Sequence, residues 1–213
     1  MLGAAPLART ESLSTTPPSG RKPWTRRVGR VLVSVLLVVF AATGVVVTQP
    51  AWAISLFESA FPKVLFRVPT TEKAVALTFD DGPLPDQTRR VLAALARHQA
   101  HATFFMVGGR VNGARDVADE VVKAGHEIGN HSYRHGRLGG ASEAAIVDEL
   151  RLTERSLAPR SVSRLFRPPA AVFDDAQLEV LDRHGYRAVL GSTYPFDTSR
   201  PPCWYRPGHS SER

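Results

Sequence analysis

The sequence contains little cysteine and, outside its N-terminal end, little net charge. Cys203 is the single cysteine among 213 residues, which excludes an internal disulfide framework and a thiolate metal cluster within one chain. The formal net charge is +7, but residues 1–30 hold six basic residues and one acidic residue, so five of these charges lie there. Because the remainder is nearly balanced, we expect no nucleic-acid partner.

Long apolar runs are also scarce, with one exception between Val31 and Val47. This run has about 17 residues and would span roughly 25 Å as a helix, which is enough for a bilayer crossing. Basic residues precede it, so we predict a cytoplasmic N-terminus and an exported remainder anchored in the cell membrane. A buried core helix is the alternative, which the basic and Pro-rich flanks disfavour. Ala51-Trp52-Ala53 has the form of a signal-peptidase site, so secretion after cleavage near Ala53 stays open.

The overall composition, with 43% hydrophobic and 22% charged residues, is that of an average soluble domain. We expect four segments: a basic disordered cytoplasmic tail at 1–30, a signal-anchor or transmembrane segment at 31–50, a linker with the first strand at 51–71, and the main domain at 72–213. Residues 54–68 form an apolar connection, and no repeat of fixed period is visible.

The main domain alternates short apolar strands with amphipathic helices. Strands are predicted at Leu65–Val68, Ala74–Phe79, Ala102–Val107, His126–His131, Leu165–Phe166 and Arg187–Leu190. Helices are predicted after caps at Asp86 and Ser142, up to a stop at Gly125, and over Gln177–His184. This alternation predicts an α/β fold, a parallel sheet or barrel with helices outside.

Polar residues follow several of these strands. In such folds the loops after the strands converge on one rim, where chemistry is usually found. Asp80 and Asp81 follow one strand, His131 and His135 another, Arg167-Pro168-Pro169 a third, and Tyr194-Pro195-Phe196-Asp197 a fourth.

Each group has an ordinary structural interpretation beside the chemical one. The acidic pair before Gly82-Pro83 is typical of a turn, but adjacent carboxylates also suit a bound cation. The two histidines, four residues apart, can share a metal or lie on the surface. A guanidinium stiffened by neighbouring prolines can hold a carboxylate such as Asp80 or Asp81, or be one surface arginine among many.

Four motifs together resemble the polysaccharide deacetylases, the NodB-homology domain of carbohydrate esterase family 4. In chain order they are Thr78-Phe79-Asp80-Asp81-Gly82-Pro83, Ala102-Thr103-Phe104-Phe105, the run from Gly125 to His135, and Phe166-Arg167-Pro168-Pro169. The resemblance covers roughly residues 64–208. It implies a distorted (β/α) barrel and metal-dependent removal of acetyl groups from an N-acetylated glycan such as peptidoglycan, a chitin-like polymer or poly-N-acetylglucosamine, with O-acetyl groups as an alternative.

The resemblance also implies roles for individual residues. Asp80 is similar to the family's general base, and Arg167 to the residue that tethers this base, so both are candidate catalytic residues. Asp81, His131 and His135 resemble the ligands of a divalent metal, with Zn²⁺ the usual assumption. A divalent ion lowers the pKa of water and polarises a carbonyl, which agrees with hydrolysis.

Two departures from the family pattern carry expectations of their own. Ala170-Ala171 stands where an aromatic or Gly pair is frequent. Pro207-Gly208 resembles the turn before the family's terminal His, but His209 comes too early for that role, which predicts a shortened C-terminus and an incomplete barrel. Two alternatives to an active enzyme therefore stay open: a metal- and glycan-binding remnant of impaired activity, and a membrane-tethered structural protein.

Overall fold

The computed structural model describes residues 23–48 and 50–193. The chain divides into two compact units, residues 1–48 and residues 49–213. Among the predicted features, residues 1–22, the group from Tyr194 to Asp197, and Cys203, Pro207-Gly208 and His209 lie outside the described residues.

The described part of the first unit is one helix, α1, over Pro23–Thr48. Its stretch Val28–Val45 has a mean hydropathy of 2.2 with none of it buried, and is long and apolar enough to cross a membrane. The helix begins before the apolar run, inside the stretch predicted to be disordered. Proline is favoured at a first helical position and arginine is a good helix former, so the basic residues continue the helix.

The second unit contains six helices and six strands within the described residues. The helices are α2 (Ala51–Ala60), α3 (Pro85–Arg97), α4 (Gly108–Val111), α5 (Arg115–Lys123), α6 (Glu143–Leu157) and α7 (Asp175–Arg183). The strands are β1 (Val64–Leu65), β2 (Leu77–Gly82), β3 (Ala102–Met106), β4 (Glu127–Asn130), β5 (Leu165–Phe166) and β6 (Arg187–Val189). A short 3-10 turn, Pro169–Ala171, follows β5.

The strands form one parallel sheet in the order β1-β6-β5-β4-β3-β2. The predicted α/β fold with a parallel sheet is confirmed. Strand β1 pairs with β6, the last of the described strands, with Val64 opposite Ala188, and β1 and β2 are the edge strands of the described sheet. Parallel pairing brings the carboxyl ends of the strands to one edge.

Several element boundaries differ from the predicted ones. The strand predicted over Ala74–Phe79 runs instead over Leu77–Gly82, so the acidic pair lies within it, at a register shift against β3. Val75 is 85% exposed and packs on nothing that would hold it in a strand. The apolar connection predicted from residue 54 begins as the helix α2.

The predicted helix caps are right for α6 and wrong for α3. The Ser142 hydroxyl accepts a hydrogen bond from the Ala145 N–H and caps α6. Helix α3 begins at Pro85 rather than after Asp86, because proline is favoured at the first position and an acidic side chain stabilises the first turn. Helix α7 begins at Asp175, with Asp174 as its cap.

Two clusters of buried apolar side chains pack the helices against the sheet. One joins α6 and α7 to β5 and β6 through Ile146, Leu150, Leu178, Leu181, Phe166 and Ala188. The other joins α3 and α5 to β3 and β4 through Leu95, Ala118, Val121, Phe104, Met106 and Ile128. Both clusters hold strands whose ends carry the polar residues of the site, so burial of apolar area fixes where these residues lie.

Candidate metal and active site

Three strand ends bring the predicted polar residues to the same edge of the sheet. Asp80 and Asp81 lie at the end of β2, His131 follows β4 directly, and Arg167 follows β5 directly. Asp81 and His135 have positive φ angles of 66° and 58°. This left-handed conformation is unfavourable for residues other than glycine and is found where the surroundings enforce it, often at functional sites.

Asp81, His131 and His135 converge on one point. One potential ligand atom from each lies within 4.8 Å of the others. The Oδ1 atom of Asp81 is 2.8 Å from His135 Nε2 and 3.9 Å from His131 Nε2, and the two imidazole rings are 5.0 Å apart between centroids. Three side chains from two strand ends thus present one oxygen and two nitrogens to a common position.

A backbone carbonyl orients the buried imidazole of His131, which is 3% exposed. His131 Nδ1 lies 2.7 Å from the Arg167 carbonyl oxygen, and since a carbonyl only accepts, Nδ1 carries the proton and donates. The Nε2 lone pair then faces Asp81. Burial lowers the pKa of His131 against the opposing effect of the Asp80 charge, so the neutral, metal-ligating form is favoured.

The three residues fit a divalent cation. The Asp81 Oδ1 atom is buried and accepts no hydrogen bond from the described part of the chain, although His135 Nε2 lies 2.8 Å and Arg110 Nη1 3.5 Å away. A buried carboxylate oxygen without a donor is unfavourable unless a cation satisfies it. One carboxylate with two imidazoles is a ligand set that suits Zn²⁺ and related divalent ions.

Asp80 has a different partner from Asp81. Arg167 Nη1 donates to Asp80 Oδ1 at 2.8 Å and to Thr78 Oγ1 at 2.8 Å, and Arg167 Nε donates to the Val189 carbonyl at 3.3 Å. The guanidinium is 6% exposed and lies over the Phe105 ring at 4.2 Å. Its position is therefore fixed by strands β2, β3 and β6, while the Asp80 side chain remains 34% exposed to solvent.

The family model described as polysaccharide deacetylase matches residues 67–189. The chain belongs to this family. It is 37% identical over 150 residues to a peptidoglycan-N-acetylglucosamine deacetylase of Bacillus cereus. The aligned region covers 70% of this chain and 68% of the relative.

Solved structures of the family share its fold. PdaA of Bacillus subtilis, a family 4 carbohydrate esterase, superposes with a TM-score of 0.59 at 31% identity over 63% of this chain and 60% of that one. A CE4 family pseudoenzyme of Bacillus anthracis gives a TM-score of 0.56 at 30% identity over 60% of this chain and 46% of that one. The chain thus spans less than two thirds of the length of either solved relative.

The structure brings the predicted site residues of this family member together in two contacting groups. Asp81, His131 and His135 form the first group, and Asp80 with Arg167 forms the second. The Arg167 carbonyl links the groups through His131.

Sequence reasoning missed Arg110 at the site. It lies in α4, and its Nη1 atom donates to the Asp81 carbonyl and lies 3.5 Å from Asp81 Oδ1. No local signal distinguishes Arg110 from the many other arginines of the chain. Its position depends on the loop after β3 reaching β2, which only the assembled sheet shows.

Proposed function

We propose that this chain is a metal-dependent hydrolase that removes acetyl groups from an N-acetylated glycan. One observation carries the proposal: the cluster of Asp81, His131 and His135 lies beside a separate carboxylate, Asp80, that a buried guanidinium holds in place. Hydrolysis of an amide needs both an electrophilic centre and a base, and this arrangement offers a distinct group for each.

Asp81, His131 and His135 would hold the metal, for which we propose Zn²⁺. A divalent ion bound there would supply Lewis acidity, lowering the pKa of water and polarising the acetyl carbonyl. The protein's contribution is orientation: the Arg167 carbonyl fixes the His131 tautomer, and Arg110 holds the Asp81 backbone.

Asp80 would act as the general base. Arg167 engages its Oδ1 atom, so Oδ2 is the oxygen that we propose accepts a proton from the attacking water. Addition of water to the acetyl carbon and cleavage of its bond to nitrogen release acetate and a free amine, with proton transfer to the amine completing the balance. Arg167 would hold Asp80 aimed at the site, as a positioning residue.

The substrate we propose is peptidoglycan or a chitin-like glycan outside the cytoplasm. The B. cereus relative is named for peptidoglycan N-acetylglucosamine, and we transfer that class of substrate to this chain. The apolar helix α1, preceded by basic residues, supports a single membrane anchor with the main domain on the extracytoplasmic side. Secretion after cleavage near Ala53 is the alternative location.

Acetate release from N-acetylated chito-oligomers and from peptidoglycan tests the proposal. The full chain in detergent should release acetate with Zn²⁺ and lose this activity after chelation. Asp80→Asn should lower kcat by about 10²–10⁴-fold, the usual contribution of a general base, and keep its bound metal. Asp86→Asn, which removes a carboxylate from the first turn of α3, is the matched control and should retain full activity.

The same experiment separates the two rival functions. Stoichiometric metal binding without acetate release from any glycan would favour the metal- and glycan-binding remnant. The similarity to a CE4 family pseudoenzyme is the observation that supports this alternative. No bound metal at neutral pH would favour a membrane-tethered structural protein and would overturn the proposal.

A further inference from the structure

Glu149 is a buried carboxylate that none of the sequence motifs includes. It lies in α6 and is 4% exposed. Its Oε2 atom accepts hydrogen bonds from the backbone N–H groups of Tyr133 and Arg134, both at 2.8 Å. Its Oε1 atom accepts from the guanidinium of Arg134. All of these donors belong to the segment between His131 and His135.

A buried carboxylate needs strong partners because it has lost its hydration. The Arg134 side chain is 60% exposed, so water screens its attraction to Glu149. The two backbone N–H groups are therefore the fixed partners of this charge, and hydrogen bonds from N–H groups to an ionised acceptor are about twice as strong as neutral ones. Glu149 thus ties helix α6 to the main chain between the two histidines.

The N–H groups of Ser132 and His135 are bound by nearby side chains. The Ser132 N–H donates to Asn130 Oδ1 at 2.9 Å, and the His135 N–H donates to the Ser132 hydroxyl at 3.0 Å. Ser132 and His135 have positive φ angles of 63° and 58°. Such a backbone persists only where its surroundings over-determine it. Glu149 binds two N–H groups of this segment from α6, and the Gly108 and Gly109 N–H groups of α4 donate to its Ser132 and Tyr133 carbonyls at 3.0 Å.

We propose that Glu149 is a positioning residue that sets the backbone between His131 and His135, and thereby the affinity of the site for metal. The inference rests on the proposed function, since it requires Asp81, His131 and His135 to bind a cation. Side chains that orient metal ligands from outside the ligand set typically change metal affinity by about 10–100-fold. Glu149 acts on two ligands at once through the main chain.

Titration of the metal-free full chain with Co²⁺, followed by its visible absorption, tests the inference without any assay of activity. Glu149→Ala should weaken Co²⁺ binding by about 10–100-fold and alter the absorption spectrum. Glu149→Gln keeps one oxygen for the two N–H groups and should rescue most of the loss, to within about tenfold of the wild type. A residue with a merely structural role would move the unfolding temperature without changing the Co²⁺ spectrum.

Asp148→Ala is the matched control. Asp148 is the neighbouring carboxylate in α6, is 56% exposed, and approaches Arg134 Nη1 at 3.5 Å. It should leave Co²⁺ affinity unchanged, which would show that the effect of Glu149→Ala does not come simply from removing an acidic partner of Arg134 from α6. If Glu149→Ala does not fold, Glu149→Asp draws the carboxylate back by about 1.5 Å and should weaken binding in the same direction.

The outcomes distinguish this inference from the proposed function. If Glu149→Ala binds Co²⁺ with wild-type affinity and an unchanged spectrum, the role of Glu149 is overturned and the metal site stands. The same result in Glu149→Asp decides the question where the alanine variant does not fold. Absence of a Co²⁺ spectrum in the wild-type chain would overturn both. Weaker binding in the alanine variant with rescue by glutamine supports the inference.

Discussion

Replacing Arg167 by methionine should slow the reaction by acting through Asp80. The guanidinium holds Asp80 Oδ1 at 2.8 Å and is itself buried. Methionine keeps much of the side-chain volume over the Phe105 ring but removes the charge and the donors. Asp80 would then be free to turn towards solvent, away from the position that we propose for the base.

The size of the effect follows from the geometry of the pair. Unit charges about 4 Å apart at an effective dielectric constant of about 20 attract by about 4 kcal/mol. Asp80 is 34% exposed, so solvent screening reduces this attraction, and we expect a coupling of about 1.4–2.7 kcal/mol. That range corresponds to a 10–100-fold lower kcat/KM at about 1.4 kcal/mol for each tenfold change.

A double-mutant cycle with Asp80→Asn measures this coupling. Acetate release would be followed for the wild type, Arg167→Met, Asp80→Asn and the double variant, each with its bound metal quantified. Because Arg167 acts through Asp80, the double variant should be no slower than Asp80→Asn alone. Thr78→Val is the control, since it removes another acceptor of Arg167 Nη1 and should change kcat/KM by less than about threefold.

The reasoning would be refuted if the rate loss of the double variant equalled the product of the two single-variant losses. If the rate loss of Arg167→Met persists in full when Asp80 is already asparagine, Arg167 acts independently of the base. A slow Thr78→Val variant would likewise show that the sheet contacts of Arg167, rather than its contact with Asp80, control the rate.

Three further predictions concern stability. Burial lowers the pKa of His126 below its ordinary value, so the free energy of unfolding should fall as pH drops below about 6.5. Urea unfolding at a series of pH values should show a weaker pH dependence in His126→Phe than in the wild type. The same pH dependence in both would contradict this prediction. Gly129→Ala places a Cβ 2.6 Å from Phe105 ring carbons and should destabilise by about 1–3 kcal/mol; an unchanged melting temperature would argue otherwise. Ser142→Ala removes the α6 cap and should cost about 1 kcal/mol in the same urea assay, with Ser142→Asp expected to retain most stability.

Local patterns were sufficient to predict the α/β fold but not all of its boundaries. Alternating strand and helix signals located β3, and the hydroxyl at Ser142 marked the start of α6. The start of β2 was missed because Val75 is apolar yet exposed. Pairing of β1 with β6 joins residues from opposite ends of the fold, and no pattern within a short window encodes such a contact.

The sequence motifs indicated which residues gather at the site, but not which other residues hold them in place. The family resemblance implied that Asp81, His131 and His135 share an ion, and their candidate ligand atoms lie within 4.8 Å of one another. Glu149 and Arg110 gave no such signal. Each reaches the site from a helix through hydrogen bonds to the main chain, and such contacts depend on tertiary packing rather than on residue spacing.

The pairing of β1 with β6 sets an order of events during synthesis. Val64 and Leu65 leave the ribosome long before Ala188 and Val189, which are their partners in the sheet, and the Leu190 N–H that donates to the Leu65 carbonyl comes later still. Until then β1 lacks the one strand it pairs with in the described sheet, and parallel pairing over such a separation closes slowly. The β1–β6 edge of the described sheet therefore forms only once almost the whole of the described chain has been synthesised.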